Sequence, residues 1–151
     1  MIFKNKKFSD LTPSELYGIL LKRNEVFVIE QNIHYQDCDN KDKNAYHLFF
    51  QEDDEIVAYL RILEKGVSYP EISIGRVLVC KNRRGQNLGR KILKEAIDFI
   101  ENELNEVCIK ISAQKYLEDF YQSLGFKTVS DIYIEEGIKH IKMVREKTNS
   151  L

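Results

Sequence analysis

Cysteine is scarce in this 151-residue chain and never clustered. Cys38, Cys80 and Cys108 are odd in number, lie far apart and form no C-x-x-C pair. That pattern excludes a disulfide framework and the ligand spacings of a zinc site. Net charge is nearly absent too, at −1, which argues against wholesale binding to nucleic acid or a membrane surface. No apolar run approaches membrane-spanning length, and MIFKNKKFSD lacks the apolar core of a signal peptide. A reduced, cytoplasmic protein is the expectation. Internal repeats and low-complexity tracts are missing as well, and only the tail after Arg145 reads as frayed. One domain over residues 1–151 is expected, long enough to bury a core.

What is present is a regular succession of strand and helix patterns. Thr12-Pro13-Ser14-Glu15 has the S/T-x-x-E capping pattern with proline at the first helical position, which predicts a helix start. Leu16, Ile19 and Leu20 would be its inward stripe. VFVIEQ (Val26 to Gln31) reads as a second short helix or turn, before the polar loop HYQDCDNKDKN. AYHLFF and IVAYLRIL flank a turn at Glu52 to Glu55 and predict a hairpin. ISIGRVLVC is the next strand, and Leu88, Ile92, Leu93, Ala96, Ile97, Ile100 and Leu104 mark a long helix by their period. VCIKIS is a further strand. Leu117, Phe120, Tyr121 and Leu124 define another helix, closed by Gly125. FKTVS and GIKHIKMVR complete the sheet. The fold class is therefore α/β, a mixed, mostly antiparallel sheet flanked by helices. The unit from Ile72 to Ser112 must be a right-handed parallel crossover.

The chemistry concentrates between Ile72 and Gly89. There an apolar run passes through a basic turn into the long helix. Six cations (Lys81, Arg83, Arg84, Arg90, Lys91, Lys94) fall between Lys81 and Lys94 without one acidic residue. Cations at a helix start oppose the dipole, so a ligand-free explanation is strained. Unpaired N–H groups at that start make an anion site, and a phosphorylated cofactor is the first hypothesis. The turn has no G-x-G-x-x-G and no P-loop spacing. An RNA phosphate is the rival ligand, yet no stacking aromatics interleave the basic residues.

Arg84-Gly85-Gln86-Asn87-Leu88-Gly89 resembles motif A, Q/R-x-x-G-x-G/A, of the GNAT superfamily of N-acetyltransferases. Val77-Leu78-Val79 is similar to the end of that family's fourth strand, and Phe120-Tyr121-Gln122-Ser123-Leu124-Gly125-Phe126 to its F/L-Y-x-x-x-G-F signature. VFVIEQ, AYLR, IGRV, SAQKYLEDFY and Tyr133 to His140 look like the ElaA-like branch, and the resemblance covers essentially the whole chain. It implies a splayed parallel strand pair holding acetyl-CoA as co-substrate, with no metal. Val77, Leu78 and Val79 would line the donor, Arg84, Gly85, Gln86, Asn87, Leu88, Gly89 and Arg90 would wrap its pyrophosphate, and Gln114 would touch its arm. Two residues depart from the pattern. Asn87 replaces a glycine, and asparagine tolerates φ > 0 better than most residues; its side chain either crowds the pyrophosphate or donates to it. Gln114 stands where many relatives carry asparagine.

The resemblance also implies transfer of an acetyl group to a primary amine by direct attack, with Tyr121 protonating the departing thiolate. On pattern alone Tyr121 is a core tyrosine. Glu30 and His47 are candidates for the general base, against the plainer readings of an arginine's partner and a core histidine. Arg61 and Arg76 either orient a substrate carboxylate or form structural ion pairs. Gln31 joins them as a substrate contact. His140 ranks lower, and His34 is a loop residue. Asp37, Asp39 and Asp42 lack the glycine and terminal glutamate of an EF-hand, so a solvated loop shaping the substrate mouth is expected. The acceptor stays open among a polyamine, an amino acid, an antibiotic and a protein N-terminus. An apolar edge strand at IKHIKMVR would pair two copies as a homodimer. The competing class is a non-catalytic, acyl-CoA-binding regulatory module.

Overall fold

The computed structural model describes residues 1–148. Strand β1 (Ile2–Lys7) leads to helix α1 (Pro13–Arg23) through the expected capping box. Thr12 Oγ1 accepts from the Glu15 N–H (3.1 Å), and the Glu15 carboxylate accepts from the Thr12 N–H (2.9 Å). Burial alone would raise the Glu15 pKa, but the Thr12 N–H, Lys4 and Lys6 bring it down to about 2. The inward face of α1 is not the foreseen stripe. Leu16 and Leu20 are half-buried, while Glu15, Ile19 and Arg23, spaced i, i+4, i+8, are buried. VFVIEQ adds no separate element, because α1 runs on as π-helical turns over Asn24–Glu30.

Strands β2 (Ala45–Glu52) and β3 (Glu55–Leu63) form the predicted hairpin, and β4 (Ile72–Val79) extends it antiparallel. Helix α2 (Leu88–Asp98) buries Leu88, Ile92, Leu93, Ala96 and Ile97, then continues in π-helical turns over Phe99–Glu103. After β5 (Cys108–Gln114) comes the short helix α3 (Glu118–Gln122), with Gly125 at φ +91° beyond it. Strand β6 (Phe126–Thr128) is followed by a hairpin of β7 (Tyr133–Glu135), a strand absent from the sequence expectation, and β8 (Ile138–Glu146). Its two-residue turn needs positive φ at both positions, which Glu136 (+49°) and Gly137 (+76°) supply.

The sheet order is β1-β2-β3-β4-β5-β8-β6, with β7 on β8. β4 and β5 are the parallel pair, as the crossover requires. β8 is not an edge. It lies between β5 and β6, so both its rims are already paired and the IKHIKMVR route to a homodimer is closed. Nor does the chain fray at Arg145: β8 includes Glu146, and the Lys147 N–H donates to the Val107 carbonyl (2.8 Å). Residues 149–151 of that tail lie outside the described residues. One sheet face packs on α2 through Leu60, Ile62, Ile72, Ile74, Ile109 and Ile111. The other meets α1 through Phe49, Tyr59 and Leu78 around Ile19 and Val26. Among the described residues no helix is long and apolar enough to cross a membrane.

Candidate active site

β4 and β5 pair at only two positions, Ile72 with Ile109 and Ser73 with Lys110. Above these the strands part, and backbone donors and acceptors face an opening instead of each other. Unpaired backbone of this kind calls for a partner, from solvent or a ligand. At the top of β4 the chain turns into α2 through Asn87, whose φ of +66° and ψ of +20° are left-handed. No side chain caps the helix, and its first bond at this end is from the Lys91 N–H to the Asn87 carbonyl. The N–H groups of Leu88, Gly89 and Arg90 are thus free at the positive end of the dipole. A β carbon at Gly89 would meet Val79 (3.7 Å) and Phe120 (4.0 Å) at ordinary contact distance, so the fold itself would admit a side chain there.

The left-handed Asn87 yields a prediction. Asn87→Gly relieves a strained conformation and should keep or tighten coenzyme A binding, whereas Asn87→Val should weaken it at least tenfold. Titration calorimetry of both variants checks this. A glycine variant that binds markedly worse would mean that the Asn87 amide itself holds the ligand.

β4 carries a bulge beside the opening. Arg61 pairs with Gly75 but Tyr59 with Leu78, so three steps on β4 answer two on β3, and Arg76 takes φ +53°. The extra residue flips the alternation. Ile72 and Ile74 face α2 below it, while above it Val77 and Val79 do so and Leu78 joins the α1 side.

Arg76 then reaches the aspartate loop, which is not the solvated segment expected. Arg23, wholly buried, donates to Asp37 Oδ2 and Asp42 Oδ1, both at 2.7 Å. Arg61 grips both Asp39 oxygens (2.8 and 2.6 Å) and shares Asp42 Oδ1 (3.0 Å). Arg76 pairs with Asp37 Oδ1 at 2.8 Å and donates to the Asp37 carbonyl (3.0 Å). Burial alone would raise the Asp39 and Asp42 carboxyls, but the guanidiniums hold both below the usual range. Three arginines and three aspartates pin the loop. Arg61 is therefore a structural ion-pair residue, and its one unpartnered nitrogen, Nε, is buried away from any substrate carboxylate; Arg76 stays partly exposed at the opening.

Both expected bases are engaged by other groups. His47 is completely buried, with Nε2 donating to the Asp42 carbonyl (2.9 Å) and Nδ1 accepting from Tyr59 Oη (2.7 Å). Burial pushes its pKa down, and neither ring nitrogen is free for an acceptor. Its base role gives way to support of the loop. Glu30 is bound to Arg84 Nη2 at 2.6 Å, and Arg84 Nε donates to the Val79 carbonyl (3.1 Å). The plainer reading of Glu30, an arginine's partner, is what the geometry shows. Gln31 follows it at the helix end, half-exposed.

Of the loop residues, Gln86 accepts from Arg83 Nε (3.2 Å). Arg90 turns toward α3, donating to Ser123 Oγ (2.9 Å) and lying over the Phe120 ring. Tyr121 packs edge-on against Phe120 and Phe126. Burial pushes its phenol well up, and its hydroxyl has no hydrogen-bond partner among the described residues. Gln114 ends β5, level with His140 of β8.

Residues 10–147 match the family model "Acetyltransferase (GNAT) domain". The chain belongs to the GNAT acetyltransferase family. It is 41% identical to the UPF0039 protein sll0451 of Synechocystis over 92% of this chain and 91% of that one. It is 39% identical to Escherichia coli ElaA over 91% and 92%, and the ElaA crystal structure superposes with a TM-score of 0.90, covering 97% of this chain and all of that one. An acyl-CoA N-acyltransferase from Pseudomonas aeruginosa is as similar in structure (TM-score 0.91, 36% identity, 95% and 98% covered). The splayed β4–β5 pair and the α2 that follows it thus belong to a GNAT fold. What sequence reading missed was Arg23, whose charge on the inward face of α1 was the available signal.

Proposed function

We propose that the chain is an acetyl-CoA-dependent N-acetyltransferase that moves the acetyl group to a primary amine by direct attack. The observation that carries this reading is the opening between β4 and β5 beneath an uncapped helix start. A diphosphate is the anion that three free N–H groups and flanking cations suit best. An extended thioester arm then runs between the strand edges, where backbone groups await partners. N–H groups at the bulge, near Leu78, polarise the thioester carbonyl. Holding amine and thioester together supplies much of the rate, and Tyr121 gives its proton to the leaving thiolate. Similarity to the Pseudomonas acyl-CoA N-acyltransferase supports an acyl-CoA donor and a nitrogen acceptor.

The test is ligand-dependent stability. Acetyl-CoA at a hundredfold excess over Kd should add about 2.7 kcal/mol, a rise in Tm of roughly 5–10 °C. Gly89→Val should keep the Tm of the free protein near wild type and abolish the rise, because its side chain occupies the approach to the free N–H groups. An undiminished rise in that variant would remove the pyrophosphate from this helix. A rise without thiol release across an amine panel would favour the regulatory-module reading.

A further inference from the structure

With His47 and Glu30 engaged, the opening still has a second wall. On β5, Ile109, Ile111 and Ala113 face α2, and on β8 so do Ile141 and Met143. Ser112, Gln114, His140 and Lys142 therefore point to the opposite face, the one that carries Arg76 and the aspartate loop. Continuing the Ser73–Lys110 register upward sets Gly75 level with Ser112 and, across the bulge, Leu78 level with Gln114. Gln114 in turn pairs with His140. His140 thus stands across the opening at the height of the β4 bulge.

Its surroundings fit one chemical task. Nδ1 lies 2.8 Å from the Ile138 carbonyl, an acceptor only, so Nδ1 carries the hydrogen and Nε2 the lone pair. Nε2 is 3.5 Å from Glu135 Oε2, which also accepts from Ser112 Oγ (3.1 Å). Tyr133 stacks on the imidazole and bonds to Ser112. With the hydrogen on Nδ1, Nε2 is the nitrogen that can receive a proton, and the Glu135 carboxylate beside it is placed to pair with the imidazolium once formed.

We propose that His140 Nε2 is the group that takes the proton from the acceptor amine, with Glu135 as the positioning residue that stabilises the imidazolium formed. This rests on the amine-transfer reading above. The amine N–H bond breaks toward Nε2 as the nitrogen lone pair forms the C–N bond to the acetyl carbon. The C–S bond then breaks, the thiolate takes the Tyr121 proton, and solvent carries the proton on His140 back to Tyr121. The charged and titratable groups around the imidazole are Glu135 and Tyr133 of β7, and Lys142 of β8 with Tyr69, to which it donates (2.9 Å). Lys142 is held over the Tyr69 and Tyr133 rings (4.8 and 4.6 Å), one pair beyond the imidazole on β8.

The experiment is a pH–rate profile from thiol release, using acetyl-CoA and a panel of small primary amines, with acetyl-CoA thermal shifts alongside. His140→Gln should lose roughly a hundredfold in kcat/KM at neutral pH, keep the thermal shift, and recover as pH approaches the amine's own pKa. Glu135→Gln should lower kcat severalfold with the acetyl-CoA KM and thermal shift unchanged, and Glu135→Asp should restore part of the loss. Wild-type turnover with an undiminished or pH-independent His140→Gln rate, or an unchanged kcat in Glu135→Gln, overturns this assignment alone. Acetyl-CoA binding by wild type without thiol release for any amine overturns the transfer reading and this assignment with it.

Discussion

Asp42→Ala is expected to cost about 3–5 kcal/mol, the price of leaving buried charge unpaired. Asp42 Oδ1 is shared by Arg23 and Arg61, two guanidiniums with almost no access to water. Removing the carboxylate leaves Arg23 with Asp37 and Arg61 with Asp39, in a region short by one negative charge. Against a total stability of about 5–15 kcal/mol this is a large fraction, and the urea midpoint should fall accordingly. The effect has a pH signature. Asp42 and Asp39 have folded pKa values below their unfolded ones. Their contribution is therefore complete above about pH 4 and drains away as pH falls further toward the folded values. The gap between wild type and Asp42→Ala should narrow in acid. A gap below about 1 kcal/mol that ignores pH would place the aspartates with ordinary surface pairs.

Tyr121→Phe should lower kcat by roughly ten- to a thousandfold while leaving acetyl-CoA affinity and Tm close to wild type. The variant removes a single oxygen and keeps the ring that packs on Phe120 and Phe126. Because the hydroxyl has no partner among the described residues, no buried group loses its bond when it goes. Burial raises the phenol pKa, so the proton is present at any working pH. A thiolate developing in the same apolar surroundings is destabilised for the same reason, which keeps the transfer feasible. Steady-state kinetics with the best amine of the panel decide it. Full activity in Tyr121→Phe returns the residue to the core.

How far the sequence could be read depended on distance along the chain. The Thr12–Glu15 cap, the left-handed tolerance of Asn87 and the α2 stripe are local, and each stood in the structure as read. The ion-pair network is not local: Arg23 meets Asp37 and Asp42 from 14 and 19 positions away, and Arg84 meets Glu30 across 54. Nothing in VFVIEQ distinguishes a carboxylate held by a guanidinium from one free to act. The β4 bulge had a cue, an isolated Gly75 inside a strand, yet only the register with β3 shows that alternation flips at Arg76. Ser112, Glu135 and His140 come from three strands, so their meeting could be seen only once β8 was placed beside β5 and β7.

That placement has a consequence for how the chain is made. From β2 to β5, each strand leaves the ribosome with a neighbour already synthesised. β8 is made after β5, β6 and β7, yet it is the strand on which β6 and β7 depend for any partner and β5 for most of its pairing. A nascent or prematurely terminated product ending before Ile138 would present the bare rim of β5, with β6 and β7 unattached, and such rims invite aggregation. Only a translated length that includes β8 closes the sheet, so half of the proposed acceptor wall is assembled only once that strand has been made.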